Sequence, residues 1–353
     1  MERGHATLKD VAARAGVSVA TASRALSGDH PMARSTRERV LEAVEAVGYR
    51  RDRRGRQGAP LIAVVTTSLS HLVLAEIVQG VEEVSAGAGR LCTVSSSNTD
   101  ADREVAVLSG LAEDERIGAV IAMGGVYPSA SWRKGIGQVA GRLANRGIPF
   151  IFCGRSVRDL NIPGITILDY DNRGGAAAAV GLLLGRGHTR IAMIRGSAGF
   201  STSDARGAGY LDALESYGIE PDNELQMVGE RSLEFGITAA QSLLQARPDV
   251  TAVFGESDSI AMGVIRAAGT LGLTLPSELS VIGFDDQPWT APGTVPALST
   301  VHMPYVELGR RAARVALGVD PFLPAGGEVM FGTHVVVRES VGEPRTRRLD
   351  LKR

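Results

Sequence analysis

TLKDVAARAGVSVATASRALSG, residues 7–28, carries the signals of a short helix followed by a tight turn. Thr7 and Asp10 are spaced as a variant of the capping box, whose side chains satisfy free backbone N–H groups, so a helix is expected to begin at Leu8. Gly16 then ends this helix, because glycine readily takes the left-handed conformation found at helix ends. The stretch therefore begins with a helix and a turn.

A second helix is predicted directly after this turn. Ser18 is a favourable N-cap for a helix that begins at Val19. Ala22, Ala25 and Leu26 then recur at the three- and four-residue spacing of an inward helix face. Two short helices joined by a glycine turn make a helix-turn-helix.

A third helix is predicted over STRERVLEAVEAVGY, residues 35–49. The face that it should bury consists of Val40, Leu41, Val44 and Val47. A plain three-helix bundle would show the same pattern and is the alternative structure. The basic charge of the segment and an outward Arg24 favour a DNA-binding unit. The residues that its second helix would present to a major groove are Val19, Ala20, Ser23 and Arg24.

The charge of the chain is unevenly distributed between its beginning and the rest. Residues 1–58 contain twelve Arg/Lys and seven Asp/Glu, a balance of 12 − 7 = +5. The remaining residues contain 26 and 32, a balance of −6, and the whole chain of 353 residues has a net charge of −1. A small basic segment joined to a mildly acidic body indicates a polyanionic partner for that segment alone.

Other features of the composition indicate a cytoplasmic protein. The two cysteines, Cys92 and Cys153, both lie in apolar runs and are expected to be buried thiols rather than a disulfide. The longest apolar run, near residues 176–184, is far shorter than a membrane span, and no apolar signal segment is seen at the N-terminus. No membrane association is expected.

After residue 60, short aliphatic runs alternate with amphipathic stretches. The predicted strands are LIAVVTT (61–67), LCTVSS (91–96), AVIAM (119–123), PFIFC (149–153), RIAMI (190–194), TAVFG (251–255), LSVIGF (279–284) and a late strand in VMFGTHVVVRES (329–340). Nearly continuous apolar strands that alternate with helices are typical of parallel sheets covered on both faces. Two such runs, 61–155 and 165–285, indicate an α/β fold with two doubly wound lobes and a ligand cleft at the carboxyl ends of their strands.

Several motifs follow one another along the chain: residues 7–28 with TRERV (36–40), then GVEEV (80–84), SNTDAD (97–102), GHTRIAMI (187–194), RGAGYLDAL (206–214), SDSIAMGVIRA (257–267), LSVIGFDD (279–286) and LSTVHMP (298–304). Taken in this order, they resemble the lactose-repressor family of bacterial transcription regulators (LacI/GalR type). The resemblance implies an all-helical helix-turn-helix head and two doubly wound α/β lobes like those of periplasmic binding proteins.

Domain boundaries follow from the motifs and the linker composition. We expect a DNA-binding head at 1–49, a basic hinge or linker at 50–60, an effector-binding and dimerisation domain at 61–338 and a polar tail at 339–353. Within the large domain, lobe 1 is expected to contain 61–155 and 287–318. Lobe 2 is expected to contain 156–286 and 319–338, so several segments would cross between the lobes.

The family resemblance also implies roles for individual residues of the head. Val19, Ala20 and Arg24 match positions that read bases, and Arg24 could pair with a guanine edge. Thr7, Ser18, Thr21 and Ser23 match positions that contact phosphates.

Candidate effector-binding residues lie in the predicted cleft. The resemblance implies that Arg206 and Asp285 bind the ligand, and the alternatives are a surface charge for Arg206 and a turn cap for Asp285. The other candidates are Phe200, Thr202, Arg231, Ser257 and Trp289. A frequent Pro-aromatic-aromatic motif of the family is replaced here by residues 72–74, Leu-Val-Leu. With two arginines and few rings, the cleft is expected to bind a polar metabolite, a sugar or a related compound, with anionic ones included.

The linker YRRDRRGRQGAPLIAVV, residues 49–65, departs from the family. Family members form a short hinge helix here, whose leucine wedges into the minor groove. Gly55 and Gly58 replace the alanine and that leucine, and each disfavours a helix by about 1 kcal/mol. The residues Arg53, Arg54 and Arg56 are expected to contact phosphates or a narrow A·T minor groove instead. The alternative is a solvated basic linker.

Enzymatic activity is not expected. The chain lacks a G-x-x-x-x-G-K phosphate loop, a G-x-G-x-x-G after its first strand, a nucleophile elbow and histidines at metal-binding spacing, so no cofactor or metal is predicted. The leading hypothesis is a homodimeric, sequence-specific repressor that binds pseudo-palindromic operator DNA and a small-molecule effector. The alternatives are a cytosolic solute-binding protein of the same fold and, less favoured, a sugar-active or nucleotide-dependent enzyme.

Overall fold

The computed structural model divides the chain into two compact units, Met1–Ala59 and Pro60–Arg353. The residues that it describes are 8–19, 21–22, 25, 33–47, 60–155, 157, 160, 162–320, 322–323 and 326–346. The predictions for the linker and for several DNA-contacting side chains lie outside these residues. Those side chains are Thr7, Ala20, Ser23, Arg24, Arg53, Arg54 and Arg56.

The first unit contains the predicted turn between two helical segments. Helix α1 spans Leu8–Ala15, which confirms the predicted start. Gly16 follows with φ of +63°, in the left-handed region. The side-chain oxygen of Ser18 accepts a hydrogen bond from the backbone N–H of Thr21 at 3.1 Å, so the predicted N-cap is confirmed. The described residues after it, at 19, 21, 22 and 25, are helical.

Helix α2 (Arg34–Val47) packs against α1 through a small apolar core. The buried residues of this core are Val11, Ala12, Ala15, Ala22, Ala25, Val40 and Ala43. Arg39 on α2 donates its Nη2 to the carbonyl oxygen of Ala15 at 2.6 Å, which gives the open end of α1 a partner. The prediction of a buried Leu41 was wrong, because its side chain is 50% exposed. Leu41 lies one residue outside the three- and four-residue spacing that Val40 and Ala43 follow.

The second unit contains a six-stranded parallel sheet in the part that the structure describes, with the order β11-β5-β4-β3-β1-β2. Its strands are β1 (Leu61–Thr66), β2 (Cys92–Ser96), β3 (Ile117–Met123), β4 (Phe150–Cys153), β5 (Ile165–Tyr170) and β11 (Glu328–Phe331). Successive residues of β1 contribute to different apolar clusters: Ile62 and Val64 to one, Ala63 and Val65 to another. Side chains of a strand alternate between faces, so both faces of this sheet are covered, as predicted.

A second parallel sheet has the order β7-β6-β8-β9. Its strands are β6 (Ile191–Arg195), β7 (Gln226–Val228), β8 (Ala252–Gly255) and β9 (Ser280–Ile282). A short antiparallel pair, β10 (Thr300–His302) with β12 (His334–Val336), continues from it through isolated bridges. The described structure thus has the two doubly wound lobes that the sequence predicts.

Helices cover the two sheets and connect their strands. Those of the second unit are α3 (Leu72–Gly87), α4 (Ala101–Glu113), α5 (Ala130–Asn145), α6 (Asn172–Gly185), α7 (Ser201–Ser216), α8 (Leu233–Ala246), α9 (Asp258–Thr270) and α10 (Tyr305–Ala316). α3 and α10 cross closely at two glycines. A Cβ on Gly80 would lie 2.0 Å from the carbonyl oxygen of Val306, and one on Gly309 would lie 2.0 Å from that of Ile77. A side chain at either glycine would therefore force the two helices apart.

The lobe boundaries differ from the prediction at three strands. β10, predicted in lobe 1, pairs with β12 and continues from the second sheet. β5 and β11 pair with each other and extend the first sheet beyond β4, although the predicted boundaries place both in lobe 2. The chain therefore leaves the first lobe after β5, not before it. It crosses again after β10 and after β11. Strand pairing is a long-range property, and an apolar run alone does not tell which sheet will hydrogen-bond to it.

The thiols and a buried histidine have structural roles. Cys153 is fully buried, whereas Cys92 is only partly buried, and neither forms a disulfide. His188 lies just after α6, where its ring contacts the hydroxyl of Thr251 at 2.9 Å and the carbonyl oxygen of Gly342 at 3.1 Å. Burial lowers the pKa of His188. Within the described residues, no group of His, Cys, Asp and Glu has the arrangement of a metal site.

Candidate functional site

A cavity of about 130 Å³ lies at the carboxyl ends of strands from both sheets. Lobe 1 contributes residues that follow β1 and β3, and lobe 2 contributes residues that follow β8 and β9. The predicted effector-binding residues in its lining are Phe200, Thr202, Arg206, Arg231, Ser257 and Asp285. An apolar cavity of about 150 Å³ can hold a molecule of the size of benzene, so the volume suits a small ligand.

Arg206 is held by three acceptors from three parts of lobe 2. Its Nη2 lies 3.0 Å from Oδ1 of Asp285, its Nη1 donates to the backbone oxygen of Glu256 at 2.5 Å, and its Nε donates to Oδ1 of Asn172 at 2.8 Å. The guanidinium also lies over the ring of Phe284, 3.8 Å from the centroid. Arg206 is 2% exposed, which excludes the alternative of a surface charge.

Asp285 connects the two lobes at the floor of the cavity. Besides its ion pair with Arg206, its Oδ1 accepts a hydrogen bond from the hydroxyl of Tyr305 at 2.7 Å. Tyr305 begins α10 and belongs to lobe 1, so this contact crosses the cleft. Asp285 has φ of +114°, a conformation that non-glycine residues rarely adopt and that occurs mainly at functional sites. The strained backbone holds the carboxylate at the carboxyl end of β9.

Arg231 lies on the loop before α8, and polar groups occupy one side of its guanidinium. Its Nε donates to Oε1 of Glu256 at 2.6 Å, and its Nη2 donates to the hydroxyls of Thr202 and Ser203, each at 3.1 Å. The ring of Phe200 lies against the guanidinium, 5.3 Å from its carbon to the centroid. Arg231 is therefore not an unpaired cation in the cleft.

Ser257, Phe200 and Thr202 lie at the starts of two helices that point at the cavity. The side chain of Ser257 caps α9 by accepting from the N–H of Ile260 at 3.3 Å. Phe200 is the N-cap residue of α7, and Thr202 lies in the first turn. Helix N-termini present unpaired N–H groups, so this wall of the cavity favours polar ligand atoms.

Trp289 is not brought to the cavity with the other candidates. Its side chain is 91% exposed and does not line the cavity. It follows the segment that carries Asp285 and Gln287, but the turn there directs it outward. Leu72, Val73 and Leu74 do line the cavity, at the position of the missing family aromatics.

Sequence reasoning missed several cavity residues. Tyr170, His71 and Tyr305 line the cavity, and Glu256 lies directly behind Arg231. Tyr170 ends a strand that was not predicted. Glu256 directly follows the apolar run of β8 and precedes Ser257. Its place at the carboxyl end of a predicted strand could have indicated that it lies near the cavity.

The titration of the site follows from burial and neighbouring charges. Burial, with the nearby charge of Arg231, lowers the pKa of His71. Burial alone would raise the pKa of Glu256, but the charges of Arg231 and Arg206 outweigh it and hold that pKa below its ordinary value. Burial and the carboxylate of Asp285 raise the pKa of Asp258 to about 8. Near neutral pH, Glu256 is thus ionised while Asp258 is largely protonated.

The head carries the described part of the predicted DNA surface. Val19 is 43% exposed, Ser18 is exposed and Thr21 is partly exposed. The hydroxyls of Ser18 and Thr21 lie 2.8 Å apart at the start of the helical segment. Hydroxyls and N–H groups at such a helix N-terminus suit contacts to phosphate oxygens. No helix in the described part of the chain is long and apolar enough to span a membrane.

Comparisons with known proteins match both units. Residues 7–52 match the family of bacterial regulatory proteins called lacI, and residues 180–341 match a periplasmic binding protein-like domain. The HTH-type transcriptional regulator reg1 of Streptomyces lividans is 33% identical over 340 residues, covering 94% of this chain and 96% of that protein. The HTH-type transcriptional repressor PurR of Erwinia tasmaniensis is 33% identical over 318 residues, covering 88% and 89%.

A solved structure has the same fold over nearly the whole chain. The complex of the transcriptional regulator CelR with cellobiose superposes with a TM-score of 0.69 at 26% identity, covering 95% of this chain and all of that one. The chain therefore shares the fold of that regulator.

Proposed function

Because the chain belongs to the lacI family of bacterial regulatory proteins, we propose that it is a sequence-specific transcriptional repressor controlled by a small polar metabolite. The metabolite would bind in the cavity between the lobes, and the helix-turn-helix would read the operator. The observation that carries the proposal is the pairing of Arg206 with Asp285 at the carboxyl ends of the strands, in a chain that also has a helix-turn-helix.

The chemistry of the cavity supports a polar effector. Arg206 and Arg231 provide fixed donors, Asp285 provides a fixed acceptor, and the N-termini of α7 and α9 provide backbone N–H groups. Groups that are held by other protein atoms before the ligand arrives lose little freedom on binding. A compound with several hydroxyl groups fits such a wall. CelR, the structural relative with bound cellobiose, supports a sugar or a related compound.

Control of DNA binding follows from a difference in affinity between two states. Tyr305 of lobe 1 contacts Asp285 of lobe 2 inside the cavity, so a ligand that contacts either residue favours one arrangement of the lobes. The effector can shift operator affinity by no more than the ratio of its own affinities for the two states. A homodimer would place two heads on a pseudo-palindromic operator. Such a repressor acts in the cytoplasm, where its operator lies.

The proposal is tested by selecting genomic fragments that the full-length protein retains, with and without a pool of cell metabolites. A recovered palindrome that is released by a metabolite would support it. Affinity for that fragment is measured by fluorescence anisotropy at several salt concentrations. The slope of log affinity against log salt concentration should become less steep when Arg53 and Arg54 are replaced by Ala. Arg142→Ala is the matched control, because Arg142 is a surface residue of α5 paired with Glu113. Binding that is independent of salt and of sequence would refute the DNA-binding function.

A further inference from the structure

Glu256 is a buried carboxylate directly behind the ligand cavity. Its side chain is completely buried, and its Oε1 accepts from Nε of Arg231 at 2.6 Å and from the hydroxyl of Ser203 at 3.0 Å. Its backbone oxygen accepts from Arg206. Its second oxygen, Oε2, accepts no hydrogen bond within the part of the chain that the structure describes. A buried carboxylate with spare acceptor capacity is unusual, which points to a role at the cavity.

The pairing with Glu256 occupies the groups that Arg231 would use to bind an anion. Arginine binds carboxylates and phosphates through two parallel N–H groups of its planar fork. Nε of Arg231 is directed to Glu256, and Nη2 is directed to Thr202 and Ser203. Nη1 makes no hydrogen bond among the described contacts, so this single nitrogen, rather than a two-nitrogen edge, remains for a ligand.

The charged groups that line the cavity and Glu256 directly behind it sum to zero net charge. Arg206 and Arg231 contribute +2, while Asp285 and Glu256 contribute −2, each in an ion pair. The lining group His71 has a lowered pKa and is neutral near pH 7. A ligand carrying a net negative charge would enter a site with no net positive charge and would lose its hydration there. A neutral ligand with several hydroxyl groups loses much less hydration free energy there than an anion does.

Resting on the function proposed above, we infer that Glu256 determines the charge specificity of the cavity. It holds Arg231 and neutralises it, so that the cavity selects an uncharged, hydroxyl-rich ligand over an anionic counterpart. Glu256 acts through Arg231 and is a positioning residue. This reverses the expectation from the sequence that two arginines would favour anions as well as sugars.

The inference is tested with inorganic phosphate as a probe of charge, at constant ionic strength and pH 7.5. Glu256→Gln keeps the size of the side chain and an acceptor for Arg231 but leaves that cation uncompensated. We expect phosphate to bind this variant at least tenfold more tightly than the wild type, by isothermal titration calorimetry and by thermal shift. The double variant Glu256→Gln/Arg231→Gln should lose the gain.

Glu113→Gln is the matched control, because it removes one negative charge from an exposed position of α4. A general effect of net charge would appear in this variant too, and it would overturn the inference. Equal phosphate binding by the wild type and Glu256→Gln would also overturn it. A merely structural role for Glu256 would weaken the binding of every ligand and would not create affinity for phosphate.

A second measurement needs no variant and tests the charge selectivity itself if Glu256→Gln does not fold. Thermal shifts of the wild type are compared between glucose and glucose 6-phosphate, and between cellobiose and cellobiose 6-phosphate. A shift with a neutral sugar that exceeds the shift with its phosphate supports the inference, and an equal or larger shift with the phosphorylated member overturns it. Neither experiment involves DNA, so a failure of the repressor function appears separately, as the loss of specific, salt-dependent operator binding.

Discussion

The ion pair of Arg206 should be necessary for the stability of lobe 2. Arg206→Met removes one partner of a buried ion pair, and the side chain of Asp285 then keeps its hydrogen bond from the hydroxyl of Tyr305. Breaking a buried ion pair in this way lowers the free energy of unfolding by about 3–5 kcal/mol. The change also removes the hydrogen bonds that Arg206 donates to Oδ1 of Asn172 and to the backbone oxygen of Glu256. Leaving each of these buried acceptors without a donor costs about 1–3 kcal/mol.

Arg206→Lys separates the charge from the geometry. Lysine keeps a positive charge beside Asp285 but lacks the planar fork that reaches three acceptors and lies over Phe284. We expect a loss of about 2–4 kcal/mol in the free energy of unfolding, from two weakened hydrogen bonds to buried acceptors. Arg206→Met should lose at least about 2 kcal/mol more, because it adds the unpaired carboxylate.

The assay is urea denaturation of the full-length protein, followed by circular dichroism at constant pH and salt. Arg173→Met is the control, because Arg173 pairs with Asp212 in the same lobe but on the surface, with side chains 63% and 39% exposed. It should leave the unfolding free energy essentially unchanged. Equal losses for Arg206→Lys and Arg206→Met would refute the importance of the charge. A loss for Arg206→Met no greater than that of the control would refute the whole argument.

Three further predictions concern titration, packing and capping. The folded-state pKa of Asp258, about 8, lies above its ordinary value of 3.8. The free energy of unfolding measured in urea should therefore fall as pH rises from about 6 through 8, by on the order of 1 kcal/mol per pH unit. Asp258→Asn should remove that dependence. Gly80→Ala should lower the unfolding free energy by about 1–3 kcal/mol, because its Cβ would lie 2.0 Å from the carbonyl oxygen of Val306. Gly110→Ala, with open space around it, should raise the unfolding free energy by about 0.5–1 kcal/mol in the same assay. A Gly80→Ala protein as stable as the wild type would contradict the close crossing. Ser18→Ala should lower the protection of the head against hydrogen exchange, because losing the cap costs about 1 kcal/mol of helix stability. Ser18→Asp should restore that protection but not the affinity for the operator. Unchanged exchange in Ser18→Ala would show that the cap is unimportant.

Local signals in the sequence predicted the helical starts and most of the strands. Leu8 begins a helix and Ser18 caps the next, because caps and turns depend on neighbouring residues alone. Leu41 was misplaced because a hydrophobic residue beside an inward face resembles a member of it. The strands of the first and second sheets were predicted from apolar runs, except for β5 and β7, which were not predicted.

The candidate site was partly visible for a similar reason. Ser257 and Asp285 follow parallel strands whose carboxyl ends converge at one edge, so they could be placed in a cleft. Arg206 lies within α7, and its place in the cleft was implied by the family resemblance. Trp289 could not be placed, because the direction of a side chain in a turn depends on the conformation of that turn. Its exposure of 91% follows from that conformation.

The sequence by itself determined the class of the fold, the cap at Ser18 in the head and the positions of Ser257 and Asp285 after strands that end at the cleft. Tertiary structure decided which groups are paired. Glu256 lies 25 residues after Arg231 in the chain, and their contact depends on how β8 and the loop before α8 come together. Likewise, Gly80 and Gly309 meet across α3 and α10 although they are far apart in sequence. Caps and periodicities act over a few residues, but the charge of a site is a sum over contacts that the folded chain alone creates.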